Sequence, residues 1–260
     1  MMKAIILAAG EGKRLKPFAE NMPKCLIELE GKSILDRQIE VIRRCGIDDV
    51  IVVKGYMANR INRKDVHYYF NKDYGTTNMV MTLWCAEKEL KGEVVVSYGD
   101  IVYNEEVLRS LIDSAHDISV VVDVAWEKYW KMRFDDPLKD AEAFKMDRTG
   151  RIEIIGQRAE RISDIEAGYI GLVKFRGGGM KAFRESFLNA RNVSRNGGKA
   201  WGAPRPFEKS YMTDMLQGLV NEGHDVYGVK VEGGWVEIDS PSDYDLAKKL
   251  FVDGKIKALV

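Results

Sequence analysis

Positions 2–8 (MKAIILA) are apolar almost without interruption, rich in isoleucine, and the run stops just before Gly10. A short run apolar on both faces predicts a central strand of a parallel sheet. The period then changes. In 33–45 (SILDRQIEVIRRC) apolar residues recur at 34, 35, 39, 41 and 42, with Ser33 placed to cap a helix and Gly46 to end it. That spacing predicts an amphipathic helix. A second apolar run covers 50–53. Strand, loop, helix and strand in this order predict a right-handed parallel crossover.

The alternation continues. Residues 78–90 predict a helix, 93–97 (EVVVS) a strand running into Tyr98-Gly99-Asp100, 105–115 a helix and 118–124 a strand. Such an order predicts an α/β fold with a Rossmann-like, doubly wound, mostly parallel mixed sheet. From about residue 140 the texture changes. Segments 142–146, 151–155 and 167–175 predict strands, 180–189 a helix and 196–206 a loop. A helix over 211–221, strands over 225–231 and 235–238, and a last helix from Pro241 complete the chain. No shift of composition marks a linker, so one domain over 1–260 is expected.

Composition narrows the function. The chain has 260 residues, 45% of them hydrophobic, enough for one sizeable core. Lys+Arg and Asp+Glu are both 40. A balanced charge argues against a nucleic-acid or membrane-surface binder, but admits a small anionic ligand held by a few bases. Cys25, Cys45 and Cys85 form no CxxC pair and are odd in number, against a disulfide framework. A cytoplasmic setting is expected. The apolar N-terminal run is too short for a membrane span or a signal segment.

Candidate chemistry begins where the first strand ends, in ILAAGEGKRLKPFAENMPK. Glycines there let backbone N–H groups approach a phosphate or a flat base. Gly10-x-Gly12 is no P-loop, because no G-K-[ST] follows, and Leu15 stands where a dinucleotide fingerprint needs its third glycine. A plain strand–helix turn is the alternative. Lys13, Arg14, Lys16 and Lys24 favour a polyphosphate. Asp100 ends an apolar strand, and Asp239 follows Trp235 and Glu237 in WVEIDSPSDYD. Each aspartate could cap a helix or turn; each could also hold a hard cation beside phosphate oxygens. Glu237 and Asp239 share a strand face. Trp126, Tyr129 and Trp130 fall at i, i+3, i+4, a stripe that suits core packing or a pocket for a cationic amine. Lys128, Lys131, Arg133 and Lys139 crowd the same segment, as a solvated basic face or as partners for an anionic acceptor group. His67, His116 and His224 are expected as surface or packing residues.

Together, Leu7, Ala8, Gly10, Gly12, Arg14, Leu15, Pro17, Pro23 and Lys24 resemble the L-A-x-G-x-G-x-R-[LM]-x-P…P-K opening of the nucleotidyltransferases that make NDP-sugars and CDP-alcohols. Asp100 and Asp239 fall where that family holds Mg²⁺. The resemblance implies an α/β fold of the nucleotide-diphospho-sugar transferase type, with a nucleotide-binding half over about 1–125 and an acceptor half over about 126–260. It implies a base and triphosphate held by Leu7, Ala8, Ala9, Gly10 and Gly12. Arg14 would steady the leaving pyrophosphate, and Lys24 would bridge to the attacked α-phosphate, with Asp100 beside them. The segment from Gly75 to Leu83 (GTTNMVMTL) is similar to the T-N-x-x-x-[ST]-L stretch of phosphocholine and 2-aminoethylphosphonate cytidylyltransferases. Thr77 and Asn78 would then read the base edge, or cap a helix, with Tyr98 nearby; CTP is the expected nucleotide. Over most of its length the chain looks closest to the phosphoglutamine cytidylyltransferases of capsule phosphoramidate decoration. Asp123, Trp126, Glu166, Tyr169, Trp235 and Glu237 are expected on the acceptor side. Arg158 stands where related sugar enzymes place a lysine against the acceptor phosphate. The expected partners are CTP and a small phosphorylated or phosphonate acceptor, with a homodimer left open. A sugar-1-phosphate nucleotidyltransferase using UTP, dTTP or GTP is the alternative.

Overall fold

The computed structural model describes residues 2–252 apart from Pro17 and Ala19. Pro17 of the opening motif, and the domain's expected end at residue 260, lie outside the described residues. The first half of the chain forms β1 (Met2–Ala8), β2 (Glu28–Leu29), β3 (Lys32–Ser33), α1 (Ile34–Arg44), β4 (Asp49–Lys54), β5 (His67–Phe70), α2 (Met79–Trp84), β6 (Glu93–Tyr98), β7 (Ile101–Tyr103), α3 (Glu105–Asp113) and β8 (Ile118–Asp123). The second half forms α4 (Trp126–Arg133), β9 (Glu142–Met146), β10 (Ile152–Arg158), β11 (Gly168–Phe175), α5 (Gly177–Arg195), α6 (Met212–Asn221), β12 (Tyr227–Val231), β13 (Trp235–Glu237) and α7 (Pro241–Val252).

Seven strands make the central sheet, in the order β12-β8-β11-β6-β1-β4-β5. Only β11 runs against its neighbours, β6 and β8; the other pairings are parallel. Both halves of the chain therefore share one sheet. Successive residues of β1 point to opposite faces. Ile5 and Leu7 join the core with α2, α5 and α6, while Ala4, Ile6 and Ala8 join the core with α1 and α3. That double burial is why the first run of the sequence is apolar throughout.

Ser33 caps α1 as expected, its hydroxyl accepting from Asp36 N at 3.1 Å. Two expected helices differ in extent. The helix over 78–90 is only Met79–Trp84, followed by a 3₁₀ turn at Glu87–Glu89. The Cys85 N–H is shared between the Met81 and Thr82 carbonyls, which tightens the last turn. Arg184 of α5 then takes the Glu87 and Leu90 carbonyls. Conversely, α5 starts at Gly177, before the expected 180, and runs on to Arg195. Its glycines lie against Asp117, whose carboxylate accepts from Gly178 N at 3.0 Å.

A third, smaller core holds the site together. Leu15, Ile27, Leu29, Ile34, Val102, Val236, Ile238 and Ala247 form one cluster. It ties the loop after β1 to the antiparallel ribbon of β7 and β13, in which Ile101 faces Glu237. That register brings Asp100, just before β7, beside Asp239, just after β13, and Ile238 N donates to the Asp100 carbonyl at 3.0 Å.

Candidate active site

The site lies beyond the carboxyl ends of the parallel strands β1 and β6, the usual ligand position in open α/β sheets. After β1, Gly12 adopts φ 68°, in the left-handed region, and opens a 3₁₀ turn over Lys13–Leu15. Leu15 is fully buried and anchors that turn, leaving Arg14 on its exposed side. A side chain at Gly10 would meet no protein atom within 4 Å, so the packing of the protein leaves that side of the loop open. A second 3₁₀ turn, Lys24–Leu26, follows Pro23 and carries Lys24 inward until it is only 9% exposed.

Lys24 Nζ donates to Asp100 Oδ2 at 2.7 Å and also to Asp239 Oδ1. Arg14 donates to the other Asp239 oxygen. One oxygen each from Asp100, Glu237 and Asp239 lies within 4.8 Å of the others. Asp100 Oδ1 is buried with no hydrogen-bond partner, an arrangement that costs free energy unless a ligand satisfies it. Crowded carboxylate oxygens of this kind suit a hard divalent cation.

The electrostatics follow from this crowding. Burial opposes the charge on Lys24, but Asp100, Asp239 and Glu237 outweigh it and raise its pKa. Burial likewise opposes ionisation of Asp239, yet Lys24 and Arg14 hold its carboxyl below the usual range. Glu237 moves the other way: burial first, then the neighbouring aspartates, push it up against the pull of Arg133. Arg133 is no part of a solvated basic face. Its side chain is 1% exposed, donates to Glu237 at 2.6 Å, and pairs with Asp243 at 2.8 Å. Asp243 in turn accepts from the backbone N–H groups of Asp239 and Ser240. The guanidinium thus orients one carboxylate of the cluster directly and the backbone of another through the start of α7.

Two cavities flank the cluster. The smaller, about 130 Å³, is lined by Leu7, Ala9, Gly10, Thr77, Asn78, Tyr98 and Asp100, among others. Ala8 points away into the core. Asn78 does cap α2, its Oδ1 accepting from Met79 N at 2.9 Å, and Thr77 Oγ1 donates to the Asp73 carbonyl at 2.9 Å. The larger cavity, about 390 Å³, is lined by Arg14, Trp126, Trp130, Tyr169, Glu142 and Glu237 among others. Asn78 and Tyr98 line both, so the two spaces adjoin.

Three residues expected on the acceptor side line neither cavity, and a fourth lies next door. Asp123 is 1% exposed, and its carboxylate accepts from Trp235 Nε1 at 2.9 Å and from Ala125 N at 2.8 Å. Asp123 and Trp235 satisfy each other behind the cavity wall. Glu166 is exposed and accepts from Met146 N at 3.2 Å. Arg158 lines an opening that adjoins the larger cavity. In the other direction, Glu142 is not among the expected site residues, and Arg133 is expected only as a solvated base or a partner of the acceptor, although each carries a signal of its buried place. Arg133 falls four residues after Tyr129 and three after Trp130, on the buried stripe. Glu142 shares a strand face with Phe144, which is 1% exposed.

A mixed sheet with adjoining cavities at its strand ends, bridged by a lysine and a set of carboxylates, defines a nucleotidyltransferase of the nucleotide-diphospho-sugar transferase fold. Residues 4–153 match the MobA-like NTP transferase domain, and the chain belongs to that family. It is 38% identical over 256 residues to the CTP:phosphoglutamine cytidylyltransferase of Campylobacter jejuni, covering 94% of this chain and 98% of that protein. It is 30% identical to the choline-phosphate cytidylyltransferase of Streptococcus pneumoniae, over 58% of this chain and 67% of that protein. The solved CTP:phosphocholine cytidylyltransferase from Streptococcus pneumoniae shares the fold, with a TM-score of 0.73 at 24% identity, over 96% of this chain and 99% of that one. The protein is an enzyme of this nucleotidyltransferase class, and its relatives group it with the cytidylyltransferases.

Proposed function

We propose that the protein transfers CMP from CTP to a small phosphorylated acceptor of the phosphoglutamine kind and releases pyrophosphate. The observation that carries this reading is the Arg14–Lys24–Asp100–Asp239 cluster, which gives Asp100 to the wall of the smaller cavity and Arg14 to that of the larger. An acceptor oxygen attacks the α-phosphorus of CTP; the new P–O bond forms as the bond to the β-phosphate oxygen breaks. The attacking oxygen is already anionic, so no general base is needed. The chain's task is to align the two anions and offset their charge. Lys24, held cationic between two carboxylates, is placed to turn toward the α-phosphate once those carboxylates have another partner. Arg14 is exposed and within reach of the departing pyrophosphate. Asp100 and Asp239, with Glu237 alongside, would hold Mg²⁺, which would neutralise triphosphate charge and orient it. The unsatisfied Asp100 oxygen and the all-oxygen donor set fit that ion. Arg133 keeps Glu237 aimed at the cluster.

Pyrophosphate release, followed with CTP, UTP, dTTP and GTP against phosphoglutamine, phosphocholine, 2-aminoethylphosphonate and glucose 1-phosphate, tests this. Turnover is expected with CTP and phosphoglutamine. Turnover confined to UTP or dTTP with the sugar phosphate would overturn it.

A further inference from the structure

Beside the larger cavity lies a second opening that shares Asp140, Ala141, Glu142 and Gly156 with it. Its other walls include Arg158 and Arg205. Glu142 and Arg158 are direct cross-strand partners in the ribbon of β9 and β10. Such partners share a face, with Cβ atoms about 5 Å apart. Opposite charges so placed ordinarily pair, yet no ion pair joins them, and Arg158 has no side-chain partner among the described residues. The register slips beside them, between Ile155 and Gln157. At the slip Gly156 takes φ +79°, and a Cβ there would lie 2.3 Å from Thr213 Cβ. The bulge therefore lets α6 close under the cavity while the ribbon's end stays open.

Three other charges in the opening are committed. Asp140 accepts from Trp130 Nε1 at 3.0 Å, and Asp136 from Leu138 N at 3.1 Å. Arg205 pairs with Asp214 at 2.9 Å. Lys139 and Glu160 are exposed at its rim. Glu142 has the Thr213 hydroxyl as a hydrogen-bonding neighbour and feels Arg205, but forms no ion pair among the described residues; it and the unpartnered Arg158 lie side by side at the far end of a cavity that reaches Arg14 and Glu237. Burial also pushes the Glu142 carboxyl up to about 7, with Asp214 adding to the effect; a cation bound there would bring it back down.

We propose that Glu142 and Arg158 read the two charges of a zwitterionic α-amino-acid head on the acceptor. Glu142 takes the ammonium group, against the aromatic faces of Trp126, Trp130 and Tyr169, and Arg158 takes the α-carboxylate in the adjoining opening. The phosphoryl end then points toward Arg14. This rests on the reading of the larger cavity as the acceptor site, and it places Arg158 on the head-group carboxylate instead of the acceptor phosphate. An acceptor with an ammonium but no carboxylate, such as phosphocholine, would use only half of the pair.

The test is calorimetric binding of four probes to the intact protein: phosphoglutamine, its analogue without the α-carboxylate, its analogue without the α-amino group, and phosphocholine. Wild type, Glu142→Gln and Arg158→Met are compared, with circular dichroism to confirm folding and CMP transfer from CTP followed in parallel. Wild type should bind phosphoglutamine about tenfold or more tightly than either truncated analogue, since each lost charge-assisted contact is worth at least that factor. Glu142→Gln should abolish the preference for the amino group and keep that for the carboxylate; Arg158→Met should do the reverse. Equal binding of all four probes by wild type, no binding of any, or uniform weakening across probes in both variants would overturn the inference. The predicted binding pattern without CMP transfer would support the head-group assignment and count against the reaction.

Discussion

At the residue scale the site depends on Asp100 and Lys24 holding opposite charges close together. Asp100→Asn keeps the shape of the side chain but removes a charge beside Lys24. It should lower kcat about a hundredfold or more with little change in the melting curve, because electrostatic stabilisation of a transferring phosphoryl group is worth that much. An unchanged rate would remove Asp100 from the reaction. Lys24→Ala should lower kcat more than CTP affinity, because its charge counts most as negative charge develops in the transition state; equal losses would mean simple nucleotide binding. Glu142 adds a pH signature. Its carboxyl lies near 7 in the folded protein against an ordinary 4.5. The folded state thus holds this proton more tightly than the unfolded chain. The stability it confers is complete below the ordinary value and is lost as pH rises through about 7. Glu142→Gln should therefore stabilise the protein relative to wild type by roughly 3 kcal/mol near pH 8 and by little near pH 4. Urea unfolding at the two pH values measures this, and an equal difference at both would contradict it. The charged residues of the cluster could be picked out of the sequence because special spacing surrounds them. Arg133 and Glu142 are harder to pick out, because a charge in a mostly polar segment looks solvated unless its spacing from the buried stripe or strand face is followed.

At the element scale the decisive unit is the ribbon of β7 and β13, each only three residues long. Neither would be stable alone; the cluster around Leu15, Val102, Val236 and Ile238 supplies their burial. Arg133 performs the matching task between α4 and α7. Replacing it with Met would leave Asp243 a buried carboxylate with no ion-pair partner and Glu237 with only the more distant pull of Lys24, and breaking a buried pair in this way costs about 3–5 kcal/mol. An unfolding free energy from urea titration lowered by less than half of that would contradict this and show the carboxylates relieved by water. Long apolar-periodic elements such as β1 and α1 were legible in the sequence, since burial alone dictates their pattern. The extents of α2 and α5 were not, because one is ended by an arginine ninety-odd residues away and the other begins on glycines held by Asp117.

At the scale of the whole molecule, one sheet gathers loops from both halves of the chain at its carboxyl edge. The single antiparallel strand, β11, sits between β6 and β8 and carries Tyr169 to the wall between the halves. Among the described residues no helix is long and apolar enough to cross a membrane. The α/β class and its switch-point loop follow from alternation of periods alone. The acceptor wall does not, because β9, β10 and α6 meet there only through tertiary packing around Gly156 and Thr213. The central claim is transfer of the α-phosphoryl group with its nucleoside. Incubation with phosphoglutamine and CTP labelled at either the α- or the γ-phosphate tests it most directly. The α-label should appear in a CMP–acceptor conjugate and the γ-label in pyrophosphate. A γ-label found on the acceptor, or as free phosphate with no conjugate formed, would contradict the account.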